Sequence, residues 1–200
     1  MKIVLVTQRI DYLVDRNETR DSLDQNIITF LSKLGLTALP IPNIKYNQKE
    51  IIEQLIEKIE PVGIIISGGN NIGDYLHRDN LEFELIKTSI NYKIPLIGIC
   101  RGMQLINKFY GGILHKSKNH VNVRHDLKSI DDKTINVNSY HNYVINESPS
   151  QLETVLTAED NTVEFFKHTN NLLTGIMWHP ERENPFKKYD LNLFNSLFSL

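Results

Sequence analysis

The sequence is poor in cysteine: Cys100 stands alone among 200 residues. One thiol closes no intrachain disulfide and builds no multi-thiolate zinc site. Excess charge is also lacking, with 22 Lys and Arg against 24 Asp and Glu and a net charge of −2. That balance excludes the basic footprint of a nucleic-acid binder. No apolar run approaches the roughly 20 residues of a membrane helix. The opening Met1-Lys2-Ile3-Val4-Leu5-Val6 is too short for the apolar core of a signal peptide. Internal repeats, low-complexity tracts and long linkers are missing too. At roughly 150 residues per domain, one domain over residues 1–200 is expected, cytoplasmic and without a membrane partner.

What is present is an alternation of short apolar runs with segments of helical period. Ile3-Val4-Leu5-Val6, Gly63-Ile64-Ile65-Ile66 and Pro95-Leu96-Ile97-Gly98-Ile99 carry no polar face and read as strands covered on both sides. Leu23, Ile27, Ile28, Leu31 and Leu34 recur at helical spacing, and Gly35 supplies a stop. Ile51, Ile52, Leu55, Ile56 and Ile59 form a second stripe, with Asn47 and Glu50 spaced as a capping box. Asp79 and Glu82 open a third candidate helix, and Gln104 to Tyr110 reads as a fourth. This order predicts an α/β fold of three layers, α/β/α, around a mostly parallel central sheet. After Gly111-Gly112 shorter strands are expected at Ile113-Leu114, Thr134 to Val137, Thr154 to Leu156 and Val163 to Phe166. They form a small antiparallel section in the C-terminal half. A last helix carries Leu193, Phe194, Leu197 and Phe198, capped by Asp190.

Cys100 falls at the junction of a buried strand and a helix, with Gly98 and Gly102 two residues to either side. This is a nucleophile elbow with sulfur in place of oxygen: the glycines leave room for a sharp turn that exposes the side chain at the strand's end. The helix N-terminus favours thiolate over thiol, and the Arg101 backbone N–H faces a developing oxyanion. A cysteine at a strand end is more often a small buried hydrophobe, but the paired glycines argue against that here. A nucleophile needs a base and a group to orient it. Trp178-His179-Pro180-Glu181 offers both, because residues two apart in extended chain point the same way.

Gly98-Ile99-Cys100-Arg101-Gly102-Met103-Gln104 with the late His179-Pro180-Glu181 resembles the class I glutamine amidotransferases over essentially the whole chain. The resemblance implies a flavodoxin-like fold and a Cys100, His179, Glu181 triad. It also implies an oxyanion loop at Ser67-Gly68-Gly69, with Gly69 as donor beside Arg101. The substrate pocket would be lined by Gly68, Gln104, Asn138, Ser139, Tyr140 and His141. Arg101 after the cysteine, Arg78-Asp79 followed by Glu82, and Val137-Asn138-Ser139-Tyr140-His141 look like the γ-glutamyl hydrolase branch, peptidase family C26. Asn142 and Tyr143 depart from that branch, which often has a second His or a Gln there. Thr7 to Tyr12 and Arg20 to Gln25 are similar to the subgroup acting on γ-glutamyl-CDP-amidates in capsular phosphoramidate synthesis. The substrate implied is a small γ-glutamyl conjugate, nucleotide-linked in that subgroup, cleaved by a monomer or homodimer without a cofactor.

Two other functions stay open. One is a glutaminase subunit delivering ammonia to a separate synthase, which Arg101 disfavours. The other is a non-catalytic binding module or thiol sensor. His115, His120 and His125 invite a metal reading. A spacing of five, however, sends successive side chains to opposite faces of a strand, or about 140° apart on a helix. No metal is therefore expected. Arg9, Arg16 and Arg20, with Arg78 and Arg101, offer bidentate contacts to a phosphate or carboxylate, although solvated surface arginine is commoner. Tyr12, Tyr75 and Tyr140 offer faces for stacking, which packing explains equally well.

Overall fold

The computed structural model describes residues 1–129 and 134–199. Its main sheet has nine strands. The parallel half comprises β1 (Ile3–Thr7), β4 (Thr37–Ile41), β5 (Gly63–Ile66), β6 (Leu96–Ile99) and β13 (Leu173–Ile176). The antiparallel half comprises β8 (Val121–Ser129), β9 (Thr134–Tyr140), β11 (Leu152–Thr157) and β12 (Val163–His168). Across the sheet the order is β4-β1-β5-β6-β13-β12-β11-β8-β9. Two hairpin-like pairs lie outside it: β2 (Arg9–Leu13) with β3 (Glu18–Ser22), and β7 (His115–Lys116) with β10 (Tyr143–Val144).

The apolar runs explain the layers. Along a strand, successive side chains face opposite ways, so Leu5, Ile64, Ile66 and Leu96 enter one core while Val4, Val6, Ile65, Ile97 and Ile99 enter the other. Helices α2 (Gln48–Ile59), α3 (Leu76–Tyr92) and α4 (Arg101–Phe109) cover the first face through Ile52, Ile56, Leu81, Leu85, Leu105 and Ile106. Helices α1 (Gln25–Lys33) and α5 (Lys188–Leu197) cover the second through Ile27, Phe30, Leu31 and Phe194. The expected three-layer α/β fold is the observed one. Among the described residues, no helix is long and apolar enough to cross a membrane.

Several local expectations fail for physical reasons. Asn47 does not cap α2 with its side chain; it adopts the left-handed region at φ 51° and turns the chain into the helix. Asp79 and Glu82 do not open α3, which starts at Leu76; both point inward and are buried. Ile113-Leu114 precedes the short β7 instead of forming it. The β2–β3 hairpin escapes a hydrophobic reading because its strands expose charged residues on both sides, and the length of β8 escapes it likewise.

Asp190 does not cap α5 either. It sits in the first turn, buried, and accepts a hydrogen bond from the Trp178 indole Nε1 at 2.9 Å. Burial pushes its carboxyl up to about 6 from 3.8, against the pull of that hydrogen bond. A carboxyl raised on folding contributes stability in full below its unfolded value, and this is lost as pH rises through the folded one. Asp190→Asn keeps an oxygen for Trp178 and removes the ionisation. The variant should be about 1–3 kcal/mol more stable at pH 8 and little changed near pH 4. Urea unfolding at the two pH values tests this, and a variant no more stable at pH 8 contradicts it.

Candidate active site

Cys100 links β6 to α4 with φ 52° and ψ −105°, a conformation a β-carbon resists. The surroundings enforce it. Its N–H donates to the Ile176 carbonyl at 2.8 Å, and its carbonyl accepts from the Gln104 N–H at 3.1 Å. The flanking glycines serve close approach: a Cβ on Gly98 would lie 2.4 Å from the Gly102 carbonyl carbon, and one on Gly102 would lie 2.1 Å from the Ile66 oxygen. The elbow is therefore packed backbone on backbone against β5. Strain held this way is typical of functional positions.

Strand β13 runs parallel to β6 with Ile176 beside Ile99, so the chain leaving β13 emerges next to Cys100. His179 follows, and Pro180–Arg182 form one 3-10 turn. The expected His179–Glu181 contact exists, Nδ1 to Oε1 at 2.7 Å, but this turn brings it about and not an extended chain. With Nδ1–H given to Glu181, Nε2 is left for the sulfur. A Cβ on Gly68 would stand 3.0 Å from His179 Cε1 and 3.8 Å from Cys100 Cβ, so the missing side chain makes room for the imidazole beside the thiol. All three triad side chains are buried. Burial opposes charge on His179, yet the Glu181 carboxylate and the Cys100 sulfur outweigh it and push the imidazole up to about 10.

The Ser67-Gly68-Gly69 loop is held from behind by Arg78. Its guanidinium donates to the carbonyls of Ser67 (3.1 Å), Gly68 (3.0 Å) and Gly69 (2.5 Å), and to Asn70 Oδ1 at 2.8 Å. In a planar trans peptide the N–H points opposite to the carbonyl before it. Fixing the Gly68 oxygen on Arg78 therefore turns the Gly69 N–H away, toward the cleft. The Arg101 N–H, first in α4, has no partner within the helix. Arg78 also meets Glu82 at 3.1 Å, and Arg101 bonds both Asp79 and Glu82. Burial pulls Arg78 down to about 10 while Glu82 holds it up, so it stays charged at neutral pH.

Two clefts meet at Gly69. One, of about 290 Å³, is lined by Cys100, Arg101, Gln104, Tyr140, His141 and Asn71. The other, of about 270 Å³, lies on the far side of His179 with Gly68, Arg9, Asp11, Arg182 and Asp24. Gly69, Gln104, Tyr140 and His141 thus line the cleft of Cys100, and Gly68 lines the other. Asn138 and Ser139 line neither of these two clefts. The Asn138 amide pairs with both backbone groups of His179, at 2.9 and 2.8 Å, and Ser139 bonds the His120 carbonyl. Tyr140 stands edge-on to His179, under the Arg182 guanidinium at 4.9 Å. Of the arginines, Arg78 and Arg101 are consumed by the ion pairs, Arg16 is exposed and Arg20 pairs with Glu18. Arg9 reaches a cleft because the β2–β3 hairpin carries it there. Tyr12 bonds Asn17 on that hairpin, and Tyr75 stacks edge-on with His77.

The spacing argument against convergent histidines fails at Asn122. It adopts φ 55° and forms a bulge in the β8–β9 pairing, which restores His120 and His125 to one side. They are joined by His141 and by Glu164, which sequence reading missed; His115 lies apart on β7.

The Peptidase C26 family model matches residues 3–181. The chain belongs to this family. It is 36% identical over 143 residues to a γ-glutamyl-CDP-amidate hydrolase of Campylobacter jejuni, covering 68% of this chain and 70% of that one. It is 31% identical over 138 residues to a glutamine-hydrolysing GMP synthase subunit of Methanococcus vannielii, 65% of this chain and 69% of the relative. Among solved structures, a putative GMP synthase subunit of Thermoplasma acidophilum shares the fold with a TM-score of 0.75 at 20% identity, covering 100% of this chain and 93% of that one.

For this C26 chain, the His179 imidazole should stay protonated through neutral pH and titrate near 10 by NMR of labelled histidine. Its stabilising contribution is then full below the ordinary value of 6.5 and lost as pH rises through 10. Titration near 6.5 would contradict the ion-pair reading. Arg78→Met leaves buried carboxylates short of a partner. Urea unfolding should register a loss of about 3–5 kcal/mol, and kcat should fall about 100-fold or more as the Gly69 donor loosens. A loss under about 1 kcal/mol with normal kcat would show that Arg78 does not hold the loop.

Proposed function

We propose that this chain is a cysteine-dependent hydrolase of γ-glutamyl amides whose leaving group is an anionic, nucleotide-linked amidate, as in the name of its Campylobacter relative. The observation that carries this reading is the division of the site. Cys100 and Gln104 face one cleft, of a size for the glutamyl half. His179 opens on the other, where Arg9, paired with Asp11 at 2.8 Å, and Arg182, 3.8 Å from Asp24, stand in reach of a phosphate-bearing leaving group that would compete with those carboxylates for the guanidiniums. With the Cys100 proton taken by His179 Nε2, the sulfur attacks the δ-carbonyl, and the N–H groups of Gly69 and Arg101 take the oxyanion. As the carbon–nitrogen bond breaks, His179 gives its proton to the leaving nitrogen. It then takes one from water, whose oxygen displaces the sulfur from the thioester and frees glutamate, and shares that proton with the departing Cys100 sulfur. Glu181 keeps the imidazole oriented throughout. These groups complete the chemical step without an organic cofactor. A lone free thiol suits the reducing cytoplasm, where we expect a monomer or homodimer.

Glutamate release should be measured over glutamine, γ-glutamyl amines and γ-glutamyl-CDP-amidate. The amidate should lead in kcat/KM by tenfold or more, and Arg9→Ala should raise its KM while sparing a neutral γ-glutamyl amine. Cys100→Ala should abolish turnover of all of them with the fold intact, His179→Ala nearly so, and Glu181→Ala less. Glutamine as the preferred substrate would instead make the chain a glutaminase. Turnover by Cys100→Ala would overturn the mechanism.

A further inference from the structure

His120, His125, His141 and Glu164 present ligand atoms that all lie within 4.8 Å of one another. Three of the four side chains are almost wholly buried: His120 is 1% exposed, His141 3% and Glu164 0%. The atoms they turn toward each other, His120 Nδ1, His125 Nε2, His141 Nε2 and both Glu164 carboxylate oxygens, have no hydrogen-bond partner among the described residues. Buried polar atoms rarely stay so.

The opposite ring nitrogens explain the arrangement. His120 Nε2 meets Asp160 Oδ2 at 2.8 Å, and His141 Nδ1 meets the Tyr143 carbonyl at 2.9 Å. Asp160 is itself fixed by the Thr162 N–H and hydroxyl, at 3.2 and 2.7 Å. Each of those ring nitrogens must carry the proton, since its partner only accepts. In the neutral rings the nitrogens facing inward are then lone pairs aimed at a carboxylate. Acceptors facing acceptors in a dry site need positive charge between them. A proton would bridge one pair, whereas a cation serves all four.

We infer that these four residues form a binding site for one zinc-class divalent ion, with a structural role. Three imidazoles and a carboxylate suit zinc, and four protein ligands close a tetrahedral site to substrate. Zinc bonds of about 2.0–2.1 Å put neighbouring ligand atoms roughly 3.3 Å apart. His141 Nε2 and His120 Nδ1 already stand 3.4 and 3.6 Å from Glu164 Oε1. The outer contacts of His120 and His141 are the kind that orient ligating histidines and raise their basicity. The ion joins the turn before β8, β8 itself, the residue after β9, and β12. It thereby anchors His141, next to the cleft residue Tyr140.

The test reads metal and not turnover, so it stands apart from the proposed activity. Tag-free protein from zinc-supplemented culture should hold about one zinc per chain by plasma mass spectrometry. After chelation, Co(II) should restore one equivalent with the visible band of a tetrahedral ion, and zinc should raise Tm. Affinity should fall tenfold or more in His125→Ala, chosen because His125 is half-buried and so spares the core, and in Glu164→Gln. It should survive in Cys100→Ala, which removes the one thiol. Protein that takes up neither ion, or that retains both in His125→Ala, overturns the site. So does binding that disappears with Cys100.

Discussion

Two arginines and two carboxylates, almost without access to water, tie the parts of the proposed site together. Arg78 and Arg101 meet Asp79 and Glu82 in a set of balanced charge. Burying four ions costs more than a hydrophobic cluster of equal volume would, so their value lies in position. Arg101 is the first residue of the elbow helix, Asp79 and Glu82 belong to α3, and Arg78 reaches the three carbonyls of the oxyanion loop. Thr7 joins β1 to the same set, donating to Glu82 Oε1 at 2.8 Å and accepting from the Ser67 N–H at 3.0 Å. The guanidinium matters for its shape: a fixed fork of five donors can engage several acceptors at set angles, which an ammonium cannot.

That frame lets the strained cysteine persist. A non-glycine residue at φ 52° stays folded only if its neighbours leave no alternative. Gly98 and Gly102 allow backbone to press on backbone, and the ion pairs stop α4 from sliding out of that contact. The proposed triad is then completed from the other side by parallel pairing of β6 with β13. Cys100 and His179 come from chain segments nearly eighty residues apart, yet one strand register brings them side by side.

Much of this was legible in the sequence, because its signals are local or periodic. Apolar runs gave three of the five parallel strands, β1, β5 and β6, segments of helical pattern gave the five α-helices, and glycines around one cysteine gave the elbow. The Asp79 and Glu82 side chains were misread as a helix start because their partner Arg101 is distant in sequence, and a helix-opening acid looks the same as a buried one. Asp190 was misread alike, with Trp178 as the unseen partner. Asn138 was assigned to substrate, whereas its amide holds the His179 backbone. Sequence names the residue type but not which neighbour a polar side chain will satisfy.

The histidine cluster shows the sharper limit, since there a periodic rule was applied correctly and still failed. Side-chain parity along a strand survives only while every residue has a partner across the ladder. One inserted residue shifts parity by one, so an odd spacing becomes even in effect. Asn122 supplies that residue, and asparagine is among the few side chains that tolerate the left-handed backbone a bulge can demand. Without it, His120 and His125 would face opposite sides of the sheet, and one of the two would be lost from the cluster with His141 and Glu164. The bulge and the cluster therefore stand or fall together. A local backbone choice in an exposed strand decides whether four distant side chains converge on one point.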